Sequence, residues 1–132
     1  RDVAPSRGLG DVYKRQVKTV LADEEDTPTL IFDEIDTGIS GITAGKVGDR
    51  LRLIGKSRQV ICITHLPQIA ATADHHFLIR KKAEGTSVRT DVEMLDEAAS
   101  VEELARLLGG ANVTERVMES AKELKELAKC ER

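Results

Sequence analysis

Apolar residues along the 132-residue chain fall into short continuous runs and into spaced stripes, and the two patterns predict different elements. Thr29-Leu30-Ile31-Phe32 is a short apolar run that stops abruptly at Asp33-Glu34. Continuous apolar character over so few residues predicts a strand buried on both faces of a parallel sheet. After a loop over 35–41, Ala44, Val47, Leu51 and Ile54 recur at three- and four-residue steps, the stripe of an amphipathic helix. Gly45 and Gly48 each weaken that helix by roughly 1 kcal/mol relative to alanine, which blurs its ends, and Gly55-Lys56 can close it. Residues 59–64 form a second buried-strand pattern, so strand, helix and strand follow one another in a length suited to a right-handed parallel crossover. Pro67 sits where the first turn of a short helix tolerates it.

The flanking segments carry weaker patterns. Residues 17–22 read as the tail of a helix and 23–28 as a turn-prone stretch. Residues 76–82 and 87–95 read as a strand pair around Glu84-Gly85. Ser100 with Glu103 makes a capping box for a helix through Leu108, closed by Gly109-Gly110. Asn112 with Glu115 caps a last helix whose stripe is Val117, Ala121, Leu124 and Ala128. No internal repeat is present. The order of elements predicts the α/β class, a mainly parallel sheet with flanking helices.

Composition narrows the function. With 40% hydrophobic and 33% charged residues the chain can bury a core, which excludes a fully disordered polypeptide. Tyr13, Phe32 and Phe77 are its only aromatics, too few for a stacking surface for single-stranded nucleic acid. A formal net charge of −3 argues against a large phosphate-binding face. No stretch approaches the ~18 uncharged apolar residues of a membrane span, and two cysteines, Cys62 and Cys130, make no disulfide framework. A soluble, intracellular protein is expected. Residues 6–16, SRGLGDVYKRQ, can be written codon by codon as a transposase-type library adapter, so 1–16 is read as a translated sequencing-adapter or cloning scar. Without it, 16 basic residues stand against 21 acidic ones, and the domain proper, 17–132, is more acidic than the whole.

The chemistry concentrates at two strand ends. LIFDE at 30–34 is a Walker B pattern, in which Asp33 can hold the hydrated Mg²⁺ of a nucleotide and Glu34 can polarise the water that attacks the γ-phosphate. Alone that pattern is weak, because many buried strands end in acidic loops. His65, at the end of the next strand, strengthens it: an imidazole there can donate a hydrogen bond to the γ-phosphate or the attacking water. Both polar clusters fall at strand carboxyl ends, the edge where open α/β sheets bind ligands. Cys62, His65, His75 and His76 supply no convergent set of four zinc ligands. Arg80-Lys81-Lys82 is better read as a solvated strand end than as a DNA contact.

LIFDEIDTGISG at 30–41 and ICITHLPQIAATADHHF at 61–77 resemble the carboxyl-terminal ATPase lobe of the RecN family of bacterial DNA repair proteins, SMC-like members of the ABC ATPase superfamily. Transporter ATPases of that superfamily usually follow the paired carboxylates with Pro and an Ala-Leu-Asp turn, whereas Ile35-Asp36-Thr37-Gly38 stands here. The resemblance spans Val17 to the last helix. It implies half of an ABC-type, P-loop-like head, with Asp33 as the Mg²⁺ ligand, Glu34 as the catalytic carboxylate, Asp36 as the D-loop residue that communicates across a head dimer, and His65 as the switch histidine. ATP and Mg²⁺ are the implied cofactors. DNA, the amino-terminal ATPase half and a second head in a head-to-head homodimer are the implied partners, and the bacterial cytoplasm, at the nucleoid, is the implied setting. The implied work is ATP-driven repair of DNA double-strand breaks.

Neither a GxxxxGK[ST] phosphate loop nor a Ser-Gly-Gly signature occurs in the chain, and no long coiled-coil helices do. The chain by itself is therefore expected not to hydrolyse ATP. Two other readings stay open: a different chromosome-maintenance or recombination ATPase of the same superfamily, to be separated by the upstream sequence, where the RecN family should show a coiled-coil insertion between its ATPase halves, and a noncatalytic interaction module with the same fold. Intact Asp33, Glu34 and His65 count against the second.

Overall fold

The computed structural model describes residues 27–33, 38–39 and 41–130. The presumed scar over 1–16, the helix tail over 17–22, and Glu34 and Asp36 lie outside the described residues. The element order is β1 (Thr29–Asp33), α1 (Gly41–Gly55), β2 (Gln59–Ile63), α2 (Pro67–Ala70), β3 (His76–Glu84), β4 (Ser87–Leu95), α3 (Glu97–Gly109) and α4 (Glu115–Cys130). The chain divides into two compact units, one ending at Ile69 and one starting at Ala70.

In the first unit β1 and β2 pair in parallel, from Thr29 opposite Gln59 to Asp33 opposite Ile63. The Gln59 amide donates to the Pro28 carbonyl at 2.9 Å, and the Thr29 hydroxyl donates to Gln59 Oε1 at 3.0 Å, so the register is set from the amino end. Strand side chains alternate between faces. Phe32, Val60 and Cys62 therefore pack on one face, against a core of Ile39, Ala44, Val47, Leu51 and Ile69. The spacing of Ala44, Val47, Leu51 and Ile54 does give α1 its buried stripe, and Gly48 is buried in it as well.

The expectation of strands covered on both faces is corrected here. Ile31, Ile61 and Ile63 occupy the other face of the pair and are exposed. Both α1 and Ile69 of α2 pack on the Phe32, Val60 and Cys62 face, and the face of Ile31, Ile61 and Ile63 is left exposed.

In the second unit β3 and β4 form the expected antiparallel hairpin, turned at Gly85, where φ is +62°. Helices α3 and α4 pack through Leu104, Ala105 and Ala121, all without exposed surface, with Ala70 and Ala71 alongside. Small residues on both helices let the backbones approach closely. Gly109 extends that approach, because a Cβ there would meet Val117 Cγ1 at 3.0 Å.

Both helix caps differ from the sequence pattern. Asp96, not Ser100, caps α3, its carboxylate accepting from the Ala99 amide at 2.8 Å. Thr114, not Asn112, caps α4, its hydroxyl accepting from the Val117 amide at 3.3 Å. Ser100 is instead buried inside α3, with its Oγ 2.8 Å from His76 Nδ1. Glu103 is also buried, and it accepts from Arg106 Nε at 2.8 Å rather than reaching back to a cap. A polar group removed from water needs a partner, and here β3 and α3 supply each other's.

That junction is pH-sensitive. Burial, with the Lys125 ammonium reinforcing it and Glu103 opposing it, holds the His76 imidazole below its ordinary value of 6.5. Below pH 6.5 the unfolded chain takes up a proton that the folded chain resists. The stability from neutral His76 is thus complete above 6.5 and is lost as pH falls towards the lowered folded-state value. Urea unfolding of the chain is expected to show its midpoint falling between pH 7 and 5, with the fall reduced in His76→Gln. An equal fall in the variant would remove His76 as the cause.

Candidate functional site

The parallel register places two of the expected site residues at one edge. Asp33 ends β1 opposite Ile63, the last residue of β2, and His65 follows two positions later. Both side chains are exposed.

Beyond β2, Thr64 Oγ1 accepts from the Leu66 amide at 3.0 Å, a local bond that spans His65. Leu66 then packs on the core, and Pro67, opening α2, is buried. His65 is thereby held between anchored neighbours, β2 before it and Leu66 and Pro67 after it.

On the β1 side, Gly38 and Gly41 take φ of +78° and +54°, a left-handed conformation that side chains resist. Between them Ile39 is buried in the core with Val47 and Leu51. Asp33 thus ends β1 before this stretch, and Ile39 is held in the core after it. Glu34 and Asp36 lie outside the described residues.

An exposed carboxylate at the end of β1 and an exposed imidazole just past β2 suit a metal-bound anion. Mg²⁺ favours one or two carboxylate oxygens completed by water and substrate phosphates, and Asp33 offers such an oxygen at the open edge. The His65 ring nitrogens can donate to a phosphate oxygen. Zinc has no comparable setting: Cys62 is in mid-strand, packed towards the core, and His76 is engaged by Ser100. Of the basic cluster, Lys82 lies 3.2 Å from Asp91, which also binds Arg89 at 2.8 Å.

The β3–β4 pair also carries an exposed apolar surface of Phe77, Ile79, Val88, Val92 and Met94, signalled in the sequence by the alternation of Val88, Val92 and Met94 with polar residues. No helix among the described residues is long and apolar enough to cross a membrane.

No family model matches the chain. It is 46% identical over 108 residues to the DNA repair protein RecN of Vibrio cholerae, a match covering 82% of this chain and 20% of that protein. The RecN of Halalkalibacterium halodurans is 45% identical over 112 residues, and that of Streptomyces coelicolor 40% over 116, covering 85% and 88% of this chain and 20% of each relative. The chain thus spans about a fifth of the length of these relatives. Among solved structures, a chain from work on ATP-driven dimerisation and DNA-stimulated activation of SMC ATPases superposes with a TM-score of 0.58 at 22% identity. That match covers 74% of this chain and 60% of the other, and it is a likeness of fold.

Proposed function

This chain matches the carboxyl-terminal part of RecN-type DNA repair proteins, and from that premise we propose that it is one half of an ATP-binding head. The observation that carries the reading is the parallel register that brings Asp33 and His65 to the same edge. Mg²⁺, when bound with ATP, would draw negative charge away from the triphosphate. Asp33 would hold that ion. Glu34 would accept a hydrogen bond from the attacking water and orient it, and His65 would donate one to the γ-phosphate. Asp36 would face a second head in a homodimer, and the amino-terminal half of the parent would contribute the phosphate loop that this sequence lacks. The work of the assembled protein would be the repair of broken DNA in the bacterial cytoplasm, with ATP hydrolysis timing engagement and release.

The full-length parent is expected to hydrolyse Mg²⁺-ATP, and the 132-residue chain is expected to show no turnover above background. In the parent, Asp33→Asn should weaken Mg²⁺-dependent nucleotide binding at least about tenfold, because a neutral amide is a poor ligand for a hard cation. Turnover by the purified chain would refute the half-head reading. Unchanged Mg²⁺ dependence in Asp33→Asn would refute the role of Asp33.

A further inference from the structure

We propose that the exposed face of α1 binds the phosphate backbone of duplex DNA, without regard to base sequence. The inference rests on the reading that the parent works on DNA, and it uses none of the residues assigned to the nucleotide.

The formal net charge of −3 conceals a local imbalance. Five of the chain's 20 basic residues, but one of its 23 acidic ones, fall within 46–58. Ala44, Val47, Leu51 and Ile54 take the buried side of α1, and a 3.6-residue period then sets Lys46, Arg50 and Lys56 outside that stripe. All three are exposed, with Arg52 and Arg58 half-buried at the margins. Lys46 and Arg50, like Arg52 and Lys56, are equal charges one turn apart, an arrangement that weakens a helix left to itself. The pull of a helix carboxyl end on cations accounts for Arg52 and Lys56, but it fades within one turn and does not reach Lys46 or Arg50. The chain does not neutralise them either. Among the described residues Lys46, Arg50, Lys56 and Arg58 have no ion-pair partner, and Asp49, the one acid of the segment, pairs with none of the five.

The pattern selects the partner. From Lys46 to Lys56 the helix runs about 15 Å, and a duplex carries one phosphate charge per roughly 1.7 Å of its axis, so several phosphates can face the strip at once. Leu53 is the one large apolar side chain exposed within 46–58, too little to anchor a protein partner, whose interface core draws on apolar and aromatic side chains. The segment has no aromatic residue, so it offers single strands no stacking platform. The strip also keeps clear of the nucleotide edge. Between parallel strands the helix runs back along the sheet, which puts the carboxyl half of α1 towards the amino ends of β1 and β2, away from Asp33 and His65.

Fluorescence anisotropy of a short labelled duplex, titrated with the 132-residue chain without nucleotide or Mg²⁺, tests this across a range of salt concentrations. Contacts to three or four phosphates give a slope of log affinity against log salt of about −3 to −4. Lys46→Ala, Arg50→Ala and Lys56→Ala together preserve the helix, since alanine is its best former. They should weaken binding at least about tenfold at low salt and bring the slope to about −1. A control matched in charge, Arg80→Ala with Lys81→Ala and Lys82→Ala on β3, should stay within about twofold of the unsubstituted chain. Should the chain by itself fold poorly, as judged by circular dichroism, the same two sets in the full-length parent repeat the comparison. Equal losses in the two sets would overturn the proposal, as would no loss in the first. An oligoglutamate peptide bound as tightly as the duplex would also overturn it, by assigning the strip to an acidic protein segment. ATP turnover of the parent is read separately: retained turnover without the strip effect sinks this inference alone, and a strip effect in a parent without turnover sustains it while refuting the nucleotide reading.

Discussion

Glu34→Gln in the full-length parent is expected to lower ATP turnover by about 10²–10⁴-fold, the usual contribution of a positioned general base. Gln keeps the length and shape of Glu but carries no negative charge, so it neither polarises the attacking water nor takes up its proton. Asp33 would still be available to the metal, and Mg²⁺-ATP binding should stay close to that of the unsubstituted parent. The signature is therefore a collapse of kcat without a matching loss of binding, measured by steady-state hydrolysis beside equilibrium nucleotide binding. Turnover within tenfold of the parent would take the catalytic role away from Glu34. Loss of binding in step with loss of turnover would show instead that the side chain serves the nucleotide's ground state.

The largest expected loss of stability is at Leu104, whose side chain is fully buried where α3 meets α4. Leu104→Ala is expected to cost about 2–5 kcal/mol, because the lost contacts leave a cavity that close-packed neighbours only partly fill. Its fully buried companions are the alanines at 105 and 121, which have no side-chain length with which to reach inwards, while Val117, Met118 and Leu124 pack at the edge of the cluster. The unit from Ala70 onwards is small, and domains of some 60 residues are held by only about 3–9 kcal/mol. The substitution should therefore remove much of its folded population at moderate temperature. Leu108→Ala on the same helix, at a position that is 40% exposed, should cost well under half as much. Urea unfolding of both variants compares them, and similar midpoints would contradict the packing described for Leu104.

The sequence exposes some of this architecture and conceals the rest for identifiable reasons. The stripe of Ala44, Val47, Leu51 and Ile54 announces α1, because a 3.6-residue period has one structural explanation. The run at 29–32 announces a strand, but not how many layers cover it; Leu30 and Ile31 are equally apolar, yet only Leu30 is buried. Ser100-x-x-Glu103 has the form of a capping box and is not one. Its hydroxyl is engaged by His76, 24 positions away, and a local pattern cannot register a tertiary partner. The common edge of Asp33 and His65 is legible because Asp33 closes β1 and His65 stands two positions beyond β2, its parallel partner. Lys125 illustrates the opposite case, a buried lysine on α4 that no stripe of apolar residues would single out.

The bare side of the parallel pair, with Ile31, Ile61 and Ile63 in water, has a consequence for biosynthesis. A segment matching the carboxyl-terminal part of RecN leaves the ribosome last, after four fifths of the polypeptide has been made. The chain made by itself would carry these isoleucines as a sticky strip, and its synthesis would lean on chaperones to keep that strip from aggregating.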